Sequence, residues 1–113
     1  SDLVSPDGSR FYTTGMGDTA LSVVDVSTQS LIHTVPVSVQ PTGLAISRDG
    51  TTVYVTSQAA GTLTAIDTKS FAVLNTLRVA NQAREVVVSP DDSRLYVSTQ
   101  DAVVVLSAAS LRP

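Results

Sequence analysis

The chain has 113 residues, 42% of them hydrophobic and 15% charged, with a net charge of −3, the balance of one globular domain with a buried core rather than of a disordered segment. Its few cations (Arg10, Arg48, Lys69, Arg78, Arg84, Arg94 and Arg112) are scattered, which excludes the basic stripe of a nucleic-acid-binding surface. With zero cysteines there are no disulfides, thiolate nucleophiles or Cys-based zinc sites, and no apolar run reaches the roughly 20 residues of a transmembrane segment.

The chain opens abruptly in what reads as the end of a strand, Leu3-Val4, with no secretory-leader pattern before it. The turn signal Ser5-Pro6-Asp7-Gly8 follows, then strands over Phe11–Thr14, Leu21–Val26 and Leu31–Val37. A second series begins with Thr42–Ile46, turns at Ser47-Arg48-Asp49-Gly50, and continues through Val53–Ser57, Leu63–Asp67 and Ala72–Val79. A third runs from Arg84–Val88 through Ser89-Pro90-Asp91-Asp92 to Leu95–Thr99 and Val103–Leu106. These segments are rich in Val, Thr, Tyr and Ile and bounded by Gly, Pro, Asp and Ser, as strands are. No apolar stripe of helical period appears.

The three turns start at Ser5, Ser47 and Ser89, 42 residues apart. On that period Tyr12 falls on Tyr54 and Tyr96, and Val24-Asp25 on Ile66-Asp67. After Gln100 the register slips by two, so that Leu106-Ser107 answers Ile66-Asp67, as a shortened hairpin loop produces. Pro presets φ in the turn, Asp bonds backbone N–H groups, and Gly takes positive φ, so the tetrapeptide reverses the chain between two strands. Consecutive apolar residues such as Leu44-Ala45-Ile46 and Val86-Val87-Val88 point to opposite faces. Both sheet faces are therefore expected to be covered, as in the blades of a β-propeller. The expected fold is all-β, in blades of four antiparallel strands. Blade 1 spans about 1–40, blade 2 about 41–81 and a partial blade 3 about 82–113. That makes about two and two-thirds blades, fewer than the roughly four to eight of a closed ring. The expectation is a fragment of a longer propeller, or a subunit that completes its ring with further copies.

The run Pro41–Ser57, P-T-G-L-A-I-S-R-D-G-T-T-V-Y-V-T-S, followed by L-T-A-I-D-T and L-N-T-L-R-V, resembles the YVTN-type β-propeller repeat of bacterial and archaeal surface-layer-like proteins. The signature stands as Tyr54-Val55-Thr56-Ser57, Tyr12-Thr13-Thr14-Gly15 and Tyr96-Val97-Ser98-Thr99, each without the final Asn. The resemblance covers essentially the whole chain. It implies an extracellular or cell-envelope setting and a propeller whose relatives include binding scaffolds, lactonase-like enzymes and amine dehydrogenase subunits.

Recurrent residues read as structure. Asp7, Asp49 and Asp91 recur with the turn, and Asp25 and Asp67 end the third strand of their series. His33, the single histidine, stands where the next repeat has Asn75, which marks it as a solvated surface group. No nucleophile turn partners it. Asp91-Asp92 falls well short of the oxygens calcium requires. No metal or cofactor is expected.

Departures from the repeat are the functional candidates. Pro41-Thr42-Gly43 becomes Ala83-Arg84-Glu85, at the start of an innermost strand, on the end that also carries the loops with Met16, Asp18, Gln58, Gln100 and Asp101. Together these form an expected polar rim at the mouth of the central channel, with Arg84 placed to grip a carboxylate or phosphate. The expected function is a non-catalytic scaffold presenting loops to a protein or small-molecule ligand. The competing readings are part of a propeller enzyme, with its active site along the channel, and an engineered or self-assembling fragment.

Overall fold

The computed structural model describes residues 1–14, 19–38, 40–79 and 82–111. Their strands are β1 (Asp2–Val4), β2 (Arg10–Thr13), β3 (Ala20–Asp25), β4 (Ser30–Pro36), β5 (Pro41–Ile46), β6 (Thr52–Ser57), β7 (Thr62–Asp67), β8 (Val73–Arg78), β9 (Glu85–Val88), β10 (Arg94–Ser98) and β11 (Val103–Ser107). They form three antiparallel meanders, β1-β2-β3-β4, β5-β6-β7-β8 and β9-β10-β11, and no helix occurs among the described residues. This is the β-propeller fold, in two four-stranded sheets and one three-stranded sheet.

Each innermost pair of strands is joined by the recurring turn. Gly8 N–H donates to the Ser5 carbonyl at 2.9 Å, Gly50 to Ser47 at 2.9 Å and Asp92 to Ser89 at 3.0 Å. The fourth residue takes positive φ each time, at 75°, 77° and 62°. Glycine adopts this without cost, and Asp92 does so as one of the few side chains that tolerate it. The pairing of β3 with β4 shifts between Val23 and Val24, and that of β7 with β8 between Ala65 and Ile66. The irregularity falls at equivalent places in both repeats.

Two apolar seams hold the sheets face to face. In the first, Tyr12, Leu21, Val23 and Val35 meet Leu44, Val53, Val55 and Ile66. In the second, Tyr54, Leu63 and Ala65 meet Val86, Val88, Leu95, Val97 and Leu106. Only the middle sheet is covered on both faces. Val86 and Val88 are buried whereas Val87 between them is 59% exposed, and Val4 on the outward face of the first sheet is 53% exposed, as expected of the outer blades of a propeller fragment. No further sheet lies against either of these faces among the described residues. The outermost strands β4 and β8 are exposed along nearly their whole length, with Leu31, Ile32, Val73 and Leu74 among their exposed residues beside the polar His33-Thr34 and Asn75-Thr76.

Candidate functional site

Strand direction sorts the molecule into two ends. The S-x-D-x turns lie at one end, and the starts of β5 and β9 lie at the other with the loops between second and third strands. Gln58 N–H donates to the Gln40 carbonyl at 3.2 Å and Ser57 Oγ to the Ser38 carbonyl at 3.2 Å, tying that loop to the segment leading into β5. In the third sheet Arg84 N–H donates to the Ser98 carbonyl at 2.8 Å, and Glu85 N–H to Ser98 Oγ at 3.2 Å.

The repeat break at Arg84 and Glu85 is anchored through its backbone. Two hydroxyls of the middle sheet, Thr42 Oγ1 at 2.8 Å and Thr56 Oγ1 at 3.0 Å, donate to the Arg84 carbonyl. Gly43 makes this approach feasible. A Cβ there would lie 2.5 Å from Thr56 Oγ1, 2.8 Å from the Arg84 carbonyl oxygen and 2.9 Å from Glu85 Cα. Residue 43 is thus glycine because another chain segment occupies the space of its side chain. While the backbone is pinned, the Arg84 and Glu85 side chains are both exposed. Glu85 pairs with Ser98, two positions along from the Val87–Tyr96 pair, and so belongs to the uncovered face of the third sheet.

The other expected rim residues sit as follows. Gln58 is half-buried in the β6–β7 loop. Gln100 and Asp101 are exposed in the β10–β11 loop, closed by Thr99 N–H donating to the Ala102 carbonyl at 2.9 Å. Met16 and Asp18 lie outside the described residues. Among the described residues no three His, Asp or Glu side chains converge to hold a metal ion, and no helix is long and apolar enough to cross a membrane.

At the opposite end a cleft of about 300 Å³ opens between the first two sheets, lined by turn residues with Arg10, Tyr12, Thr68 and Lys69. Its charged groups are mostly spent on the fold. Asp7 accepts from Ser9 Oγ at 2.7 Å, Ser9 N–H at 2.9 Å and Ser5 Oγ at 2.7 Å, which lowers its pKa from the ordinary 3.8 to about 2. Asp91 is held the same way by Ser93 and Ser89 and also falls to about 2. Hydroxyls of Ser47 and Thr51 lower Asp49, and Ser27 and Ser70 with nearby backbone N–H groups lower Asp25 and Asp67.

Two contacts across the seams were not readable from the sequence. Arg10 donates to the Thr68 carbonyl at 3.0 Å and lies 5.2 Å from the Phe71 ring centroid. His33 stacks on the same ring, with centroids 4.7 Å apart. His33 is exposed, as a surface group should be, yet it is also a contact between sheets. On the repeat the trio becomes Thr52, Asn75 and Leu111, and a cleft of about 250 Å³ remains at that place in the second seam. The second contact belongs to Asp92, whose carboxylate accepts from Arg48 N–H at 2.7 Å and Asp49 N–H at 3.3 Å. Both contacts fall at departures from the repeat, which mark the residues but not their partners.

The chain is similar to solved propeller structures. It matches Kuenenia stuttgartiensis hydrazine synthase with a TM-score of 0.92 at 25% identity, over 96% of this chain and 32% of that one. Dihydro-heme d1 dehydrogenase NirN, in complex with DHE, gives 0.83 at 25% identity over 96% and 24%. The WD40 repeats of RRP9 give 0.89 at 19% identity over 98% and 36%, a likeness of fold alone. The chain therefore spans about a quarter to a third of the length of these structures, which include both WD40-repeat proteins and enzymes. No family model and no curated protein matches it.

Proposed function

We propose that the chain is part of a non-catalytic β-propeller scaffold that presents a polar rim to a protein or small-molecule ligand. In this reading the blades span about 1–40, 41–81 and 82–113, further blades come from a longer chain or from copies, and the setting is extracellular or a bacterial cell envelope. The rim comprises Arg84 and Glu85, with Gln58, Gln100 and Asp101 on neighbouring loops; Met16 and Asp18, also expected in it, lie outside the described residues. The observation that supports it is the repeat break itself. Arg84 and Glu85 replace Thr and Gly on a backbone held by Thr42 and Thr56, and both side chains face solvent. An exposed guanidinium on a fixed backbone is accessible to a carboxylate or phosphate.

The test restores the preceding repeat, with Arg84→Thr and Glu85→Gly introduced together. The wild-type chain is expected to bind an acidic probe peptide in calorimetric titration, and the double variant to lose at least tenfold in affinity with its melting midpoint within a few degrees. Unchanged binding in the variant would identify the break as structural variation. A second reading, part of a propeller enzyme, draws on the likeness to hydrazine synthase and NirN. It requires active residues from blades beyond these three.

A further inference from the structure

The cleft of about 300 Å³ at the turn end lies between two four-stranded sheets, and both supply its walls. Asp7, Arg10 and Tyr12 come from the first sheet and its turn, and Asp49, Gly50 and Lys69 from the second sheet and its loops. Gly50 keeps the cleft open. The place of a Cβ on that glycine meets only the Pro6 ring, 3.7 Å from Cδ and 3.9 Å from Cγ. In the second seam the corresponding residue is Asp92, whose carboxylate fills in against the turn and accepts from Arg48 N–H at 2.7 Å and Asp49 N–H at 3.3 Å.

The two cations are also peculiar to the first seam. On the repeat Arg10 becomes Thr52, and with the two-residue slip Lys69 becomes Ala109. Arg10 is half-buried and donates through Nη1 to the Thr68 carbonyl at 3.0 Å, with its guanidinium carbon 5.2 Å from the centre of the Phe71 ring. These contacts fix the group, and a guanidinium has further N–H donors to offer a ligand. Lys69 is exposed and adds a second positive charge.

Asp7 and Asp49 spend only one oxygen each on their turns. Every bond that either carboxylate accepts goes to Oδ1, and Oδ2 accepts none among the described residues. Both stay ionised at neutral pH, since the same bonds hold their pKa values low. A simple anion in the cleft therefore meets two negative charges, and a simple cation meets two positive ones. A molecule that carries both signs finds a complement for each.

We propose that this cleft binds a small zwitterion of the free amino acid class, with the ligand carboxylate on Arg10 and Lys69 and its ammonium on Asp7 and Asp49. The volume is that of a small-molecule pocket. An acidic peptide is refused here, because its excess carboxylates face the two aspartates, so this cleft and the rim at the other end take different ligands.

Alanine is the probe, with acetate and ethylammonium carrying its two charges singly at matched ionic strength. In NMR titration of the full chain, alanine is expected to shift the amides of Ser9, Arg10, Gly50, Thr51 and Lys69. Acetate and ethylammonium are expected to bind roughly tenfold more weakly. Lys69→Ala, which places the residue of the second seam at an exposed position, weakens alanine binding about threefold with an unchanged melting midpoint, and Lys69→Arg retains it. Either single-charge probe binding as tightly as alanine overturns the zwitterion. Cleft amides that stay unmoved by alanine, or equal affinity in the wild-type and Lys69→Ala chains, overturn the site.

Discussion

The aspartates of the turns show how a single side chain fixes a backbone. Asp7, Asp49 and Asp91 each accept from the serine two residues before and from the hydroxyl and N–H two residues after. All of these bonds favour the charged form, which is why the pKa values of Asp7 and Asp91 fall from 3.8 to about 2. A folded-state pKa below the unfolded one adds stability above the unfolded value, and that stability is lost as pH falls through the folded value. The melting midpoint should thus be flat from neutral pH to about 5, then fall steeply between about 4 and 2. A chain carrying Asp7→Asn and Asp91→Asn should melt lower at pH 7 and lose less on acidification. Its residual slope belongs to Asp25, Asp49 and Asp67, which are also depressed. Identical acid profiles for the two chains would contradict this role.

The sheets differ in what covers them, and equivalent residues acquire different weights. Tyr54 and Tyr96 occupy the same repeat position, yet Tyr54 is 5% exposed in the second seam and Tyr96 39% exposed on the free face. Tyr54→Ala should cost about 3 kcal/mol or more in urea unfolding, because a buried ring leaves a cavity. Tyr96→Ala should cost under about 1 kcal/mol in dilute solution; similar costs at both sites would mean that the seams do not carry the stability. The strand pattern was largely readable in advance, with second strands expected from Phe11, Val53 and Leu95 and observed from Arg10, Thr52 and Arg94. Alternation, β-branched residues and turn chemistry are local signals, and the period of 42 repeats them. What covers a sheet is not a local signal: Val87 and Ala45 read alike, and only the neighbouring sheet separates them. The reach of Asp92 to Arg48 and the stacking of His33 on Phe71 were invisible for the same reason. They join residues of different repeats through packing that a single strand does not encode. Of the candidate rim, the break at Arg84 was apparent, but the two hydroxyls that pin its carbonyl were not.

At the scale of the whole molecule, the proposed function divides the propeller's two ends between different tasks. Recurring turns, with carboxylates bound to their own serines and threonines, close one end and knit neighbouring sheets together. The other end carries the departures Arg84 and Glu85 and the loops with Gln58, Gln100 and Asp101. The carboxylate-bound turns recur with the repeat, and the proposed binding surface lies at a break in it. Backbone amide shifts mapped by NMR during titration of the wild-type chain with an acidic probe peptide test this division most directly. The predicted result is shifts concentrated at Arg84, Glu85, Gln58, Gln100 and Asp101, with Ser5–Arg10, Ser47–Thr51 and Ser89–Ser93 unmoved. Shifts concentrated in the three turns, with the rim unmoved, would contradict the account.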